Sequence, residues 1–149
     1  MTTTSVVQNT AMQLLENMFA VEMRFLKSDA KAPATLATAF HRDVVVHEPA
    51  SLPYAGDWRG LEGISALLRT MSEVWSDVRV EGLEAAQSGD TVFMACTLHL
   101  TSRSNGNVIQ QPFAEVLRFK DGLLFEGTPF YYDTGAIVAV LPPPGCSIT

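Results

Sequence analysis

The chain predicts an α+β domain, with helices first and an antiparallel sheet after them. Two observations carry this. Apolar residues recur at helical spacing up to about residue 75, and from Val78 onward the apolar period becomes two. A third supports it: Ser88-Gly89-Asp90, Asn105-Gly106-Asn107 and Asp121-Gly122 punctuate the second half at hairpin intervals.

Residues 6–27 read as a first helix. Met12, Leu15, Met18, Phe19, Glu22, Phe25 and Leu26 form one broad stripe with a single acidic member. The run Ser28 to Pro33 ends it, and a short second helix spans about 33–40 with Pro33 near its start. A strand of β-branched residues follows, Val44-Val45-Val46-His47, and Pro49 stops it. Residues 49–60 read as a loop carrying Tyr54 and Trp58. A third helix spans about 61–75, with Ile64, Leu67, Leu68, Met71 and Trp75 on one face. Four strands are expected at about 78–86, 91–102, 108–120 and 123–132, then a short helix at 134–140 stopped by Pro142-Pro143-Pro144. Helices covering one face of such a meander bend it and leave a cone-shaped cavity.

At 149 residues the expected organisation is one domain, with its core in about residues 10–140 and a Pro-rich tail at 142–149. A composition 47% hydrophobic and only 17% charged excludes disorder. The net charge of -6, with no basic run, argues against nucleic acid. No apolar stretch reaches membrane-spanning length. The N-terminus lacks the basic start and apolar run of a signal peptide, so a cytoplasmic location is expected. Cys96, in an apolar strand, and Cys146, in the tail, suggest no metal site, and a disulfide between them is possible without being implied. The three histidines and the acids show no metal-ligand spacing, and no cofactor is expected.

Phe40 to Pro49 is the most informative segment. Its strand ends on an imidazole and a carboxylate, at the mouth of an apolar core. A carboxylate there is costly unless paired, hydrogen-bonded or protonated, so Glu48 is the first candidate for chemistry. Its neighbour His47 should point the opposite way. Glu115 is the second candidate, because it shares a strand face with Phe113, Leu117 and Phe119. An ion pair across the sheet, for example with Arg103, would also explain it. His99 alternates with Thr97 and Thr101 and should lie off the apolar face. Tyr54, Trp58, Trp75, Met94, Phe113, Leu117, Phe130 and Tyr132 are expected around the pocket, with core packing the alternative for the aromatics and for Met94.

This order of elements resembles the nuclear transport factor 2-like superfamily, and within it the SnoaL-like polyketide cyclase and ketosteroid isomerase-like branch. Phe40-His41-Arg42-Asp43-Val44-Val45-Val46-His47-Glu48-Pro49 is similar to the isomerase segment whose acid before the proline is the catalytic base. Phe113-Ala114-Glu115-Val116-Leu117-Arg118-Phe119 resembles the strand whose acid stays protonated and binds the oxyanion. Phe130-Tyr131-Tyr132 then falls on a segment whose last aromatic lines the cavity. The resemblance implies a cone-shaped fold with a curved antiparallel sheet wrapped around N-terminal helices, a homodimer formed through the outer sheet face, and a small hydrophobic ligand. It also implies cofactor-independent chemistry of isomerase, cyclase or dehydratase type, with Glu48 as base and Glu115 as donor. The isomerases carry a further oxyanion tyrosine in the first helix, whereas this chain has no tyrosine before Tyr54. Tyr54, Trp58 or Tyr132 would have to replace it. Dehydratases of this fold use paired histidines, for which His47 and His99 are the candidates. A non-catalytic binding domain and a protein-interaction module are the alternatives.

Overall fold

A computed structural model describes residues 3–142, so Cys146 and the rest of the expected tail beyond Pro142 lie outside the described residues. The elements run in the order α1 (Thr3–Lys27), a 3-10 helix (Pro33–Thr38), β1 (Phe40–Glu48), β2 (Gly56–Arg59), α2 (Gly60–Val74), β3 (Trp75–Ser88), β4 (Thr91–Ser102), β5 (Val108–Lys120), β6 (Leu123–Tyr131) and α3 (Thr134–Ala139). They form an α+β fold with one curved six-stranded sheet, strand order β2-β1-β6-β5-β4-β3, which does not close into a barrel.

Two features differ from the sequence expectation. Residues 56–59 are a strand, not a loop: they pair with β1 from Val45↔Arg59 to Glu48↔Gly56. The sheet is mixed, because β1 joins β6 in parallel, with Val46 opposite Gly127. The meander β3 to β6 is antiparallel throughout, as its hairpin signals imply. At the last of these turns both Asp121 and Gly122 have positive φ, 55° and 78°, the geometry an Asp-Gly hairpin supplies.

The helices bury their stripes against the concave face. Ala11, Leu15, Met18, Val21 and Phe25 of α1 are buried, as are Ile64, Leu67 and Leu68 of α2. Val92, Met94, Cys96, Leu98 and Leu100 of β4 meet them from the sheet, an alternation of two that leaves Phe93 and Ala95 outside. Among the described residues no helix is long and apolar enough to cross a membrane.

The end of β6 is held by Gln111, buried on β5. Its amide nitrogen donates to the Asp133 carbonyl (3.2 Å) and its oxygen accepts from the Asp133 N–H (3.1 Å). Asp133 in turn caps α3 by accepting from Ala136 N–H. Gln111→Ala should therefore cost about 2 kcal/mol, read as a lower urea midpoint with an unchanged m-value.

Candidate functional site

The curvature leaves a cavity of about 160 Å³ between α1, α2 and the sheet. A cavity of roughly 150 Å³ takes up a benzene ring, so this space suits a small molecule. Its walls are apolar: Met18 and Phe19 from α1, Ile64, Leu67 and Met71 from α2, Met94 and Leu98 from β4, and Phe113 from β5 are among them. Four polar side chains interrupt them: Glu22, Glu48, Glu115 and Tyr131. Among the described residues no Lys, Arg or His lines the space.

Register explains how distant residues meet there. Residues directly opposite across a ladder share a face. Glu115 pairs with Met94 on one side and Pro129 on the other, and Phe113 pairs with Tyr131. Val46 pairs with Gly127, so Glu48, two residues on, lies in the row of Pro129. Glu48 and Glu115 are thus two strands apart in one row, with roughly 10 Å between their Cα atoms. Gly127 makes room for this arrangement. A Cβ there would stand 3.0 Å from Glu115 Oε2.

Each carboxyl is perturbed. Burial pushes Glu48 up to about 8, and its Oε1 is a buried atom without a hydrogen-bond partner. Glu115 is pushed up to about 8 by burial first, then by the charges of Glu48 and Glu22. Glu22, reached from the first helix, is raised to about 7 by burial. These groups retain protons near neutrality that an exposed glutamate would have lost.

Tyr131 stands at the end of a short hydrogen-bond chain. Trp75 Nε1 donates to Tyr54 Oη (3.0 Å), and Tyr54 Oη lies 3.2 Å from Tyr131 Oη. The indole is a donor only. Tyr54 is fully buried, and its own O–H has Tyr131 as its one remaining partner. Either hydroxyl can donate in the Tyr54–Tyr131 bond; with Tyr54 as the donor, the Tyr131 O–H is free to point into the cavity. Burial lifts the Tyr131 phenol well above its ordinary value, so it stays a donor.

Of the sequence candidates, Glu48, Glu115, Met94 and Phe113 border the cavity. Tyr54 and Trp75 stand behind Tyr131 as its support, and Trp75 opens β3 instead of ending a helix. Trp58 is half-buried and donates to the Tyr54 carbonyl (3.0 Å), away from the cavity. Leu117 is sealed in the core one row beyond Glu115. Phe130 and Tyr132 are corrections. They are 55% and 76% exposed, because β6 turns Tyr131, the middle residue of the three, inward opposite Phe113. The Phe113 and Tyr131 rings meet edge to face at 5.1 Å. The suggested Arg103–Glu115 pair does not form. Arg103 instead donates to the carbonyls of Ser72 and Trp75. Sequence reasoning missed Tyr131, and it left Glu22 without a role although its place in an apolar stripe was the signal.

The histidines lie elsewhere. His47 bridges Asp57 (2.7 Å) and Glu126 (2.8 Å) on the outer face, and both raise its pKa. His99 pairs with Glu81 at 2.7 Å on the same face. The paired-histidine dehydratase arrangement is therefore not present.

Residues 21–127, most of the chain, match the model of the SnoaL-like domain. The chain belongs to the SnoaL-like domain family. No curated protein matches it significantly. Solved structures share this SnoaL-like fold. A nuclear transport factor 2-like protein from Burkholderia xenovorans is 18% identical at a TM-score of 0.77, covering 91% of this chain and 98% of its own. A putative SnoaL-like polyketide cyclase from a Jannaschia species is 15% identical at 0.69, covering 93% and 96%. A protein with a ketosteroid isomerase-like fold from Catenulispora acidiphila, solved with trimethylamine, is 20% identical at 0.63, covering 78% and 87%.

The site predicts an unusual pH dependence for the stability of this SnoaL-like domain. The three glutamates have folded values above their ordinary 4.5. Their contribution is full below about pH 4.5 and is lost as pH rises through 7 to 8. The melting midpoint should fall by roughly 5–10 °C between pH 5.5 and 8.5. The raised His47 acts in the same direction. The double variant Glu48→Gln, Glu115→Gln leaves His47 in place and should remove most of the slope. A slope unchanged in that variant would mean the glutamates are not its source.

Proposed function

We propose that this SnoaL-like domain holds a small hydrophobic molecule with one or two oxygen functions and moves a proton on it without a cofactor, as an isomerase, cyclase or dehydratase does. The observation that carries the reading is the buried, partnerless Oε1 of Glu48, aimed into an apolar cavity that also holds Glu115 and Tyr131. A structure costs itself stability by keeping such an oxygen dry, and proton transfer is a use for it. A relative of the same fold seen with trimethylamine supports a ligand of small size.

Two acids in one cavity titrate as a pair, so the first proton lost makes the second harder to remove. The working state has Glu48 ionised and Glu115 protonated. Glu48 takes the proton from a carbon α to a carbonyl. The C–H electron pair moves into a carbon–carbon double bond, and the carbonyl oxygen becomes an enolate. Glu115 and the Tyr131 O–H donate to that oxygen, meeting charge as it develops. Glu48 then returns the proton to another carbon of the ligand. Tyr131 thereby supplies the donor that the isomerases carry in their first helix.

A simple probe is the conversion of cyclohex-3-enone to cyclohex-2-enone, followed by ultraviolet absorbance. Its kcat/KM should be bell-shaped and centred near pH 8, since both groups titrate there. Glu48→Gln should lower the rate at least ~10²-fold. Tyr131→Phe should lower it ~10²-fold. Glu115→Gln keeps a donor and should lose the alkaline limb. Wild-type turnover no faster than buffer, or a fully active Glu48→Gln, would contradict the mechanism.

The same reading includes a homodimer through the outer face of the sheet. Phe93 (47% exposed), Val108 (64%) and Phe130 (55%) lie on that face, with Ala95 and Ala114 in register between Glu84 and Phe130. Sedimentation should give a dimer mass for the wild type. Phe93→Lys with Phe130→Lys should shift it to the monomer, and an unshifted mass would place any interface elsewhere.

A further inference from the structure

Glu22 is the carboxyl that this proton transfer leaves unused. It projects from α1 into the same cavity, one turn from Met18 and beside Phe19, and has neither a hydrogen-bond nor an ion-pair partner among the described residues. A third acid is costly here, because its charge adds to that of Glu48 in raising Glu115. A neutral donor would be supplied more cheaply by Ser, Thr or Gln. What a carboxyl offers beyond those is a negative charge. The cavity answers it with no cation of its own.

The kind of cation follows from the geometry. Among the described residues no three His, Cys, Asp or Glu side chains group closely enough to hold a metal ion. The three glutamates therefore surround a volume, not a point. The rest of that volume is apolar: aliphatic side chains make up most of it, and three aromatic rings (Phe19, Phe40, Phe113) and three thioethers (Met18, Met71, Met94) stand among them. Ring faces attract alkylated ammonium groups, and thioethers tolerate them, where a hydrated metal ion would find no oxygens to replace its water. The unpartnered Glu48 Oε1 shows that the cavity keeps carboxyl oxygens unsatisfied by the protein itself.

We infer that Glu22 is the anchoring carboxylate for a protonated or quaternary amine, and that the ligand is a small apolar molecule carrying a cationic nitrogen. The inference rests on the proton-transfer reading only for the carbonyl that the ligand would also carry; the nitrogen is argued from Glu22 and the lining alone. The cation ionises acids that the empty cavity keeps protonated, so binding releases protons. Glu22, Glu48, Glu115 and, through Glu115, Cys96 are the titratable groups that feel it, while Tyr131 remains a phenol.

The test compares trimethylphenylammonium with its uncharged isostere tert-butylbenzene by NMR titration of the full chain at pH 7. The wild type should bind the cation at least tenfold more tightly, and calorimetry in buffers of different ionisation enthalpy should show proton release. Glu22→Gln should abolish the tenfold preference, and Glu22→Asp, which keeps the charge, should retain most of it. Equal affinity for the two probes, binding of neither, or an unchanged preference in Glu22→Gln would overturn the inference. Cyclohexenone turnover by the wild type is read separately. Turnover without cation preference sinks the amine and leaves the proton transfer standing; preference without turnover does the reverse.

Discussion

Burying a carboxyl in an apolar cavity costs free energy unless something answers its charge. Three elements bring such groups to one space here, and no cation from the protein accompanies them. The rest of the structure accommodates that constraint. Gly127 withholds a side chain so that Glu115 has room. Trp75 donates to Tyr54, and the Tyr54 hydroxyl holds that of Tyr131 at the cavity wall. The fold tolerates the expense because the groups can keep their protons near neutral pH.

The cavity itself follows from how the sheet is assembled. β1 sits in parallel beside β6, and the antiparallel meander carries the face on to β3. That single junction brings Glu48 into line with Pro129 and Glu115, residues separated by more than sixty positions. The convex side collects the opposite chemistry. His47 links Asp57 and Glu126 there, and Arg59 and Arg118 extend the chain of charges. Alternation along each strand keeps the two networks apart, so the paired charges stabilise the outer face while the unpaired ones remain inside.

Much of this was readable in the residues. The change of apolar period marked where helices give way to strands, and Asp121-Gly122 and its counterparts located the hairpins. Glu48 stood out because Pro49 ends its strand, and Glu115 because Phe113 and Leu117 flank it on one face. What escaped was non-local. Gly56–Arg59 is a four-residue edge strand whose only signal is its pairing with β1. Tyr131 rather than Tyr132 faces inward because a register set by Phe113 decides it, and a one-residue slip reverses every side chain. Glu22 was visible as the acid in an apolar stripe. Its meaning appeared only when the sheet placed two further acids opposite.

Glu22, Glu48 and Glu115 share one apolar cavity and hold their protons near neutrality. The most direct measurement of this is a carbon-13 NMR titration of the glutamate side-chain carboxyls, assigned with the three single Gln variants. Glu22 should titrate at about 7 and Glu48 and Glu115 at about 8, with Glu115 moving down when Glu48 or Glu22 is replaced. Three ordinary titrations near 4.5, each indifferent to removal of the others, would contradict it.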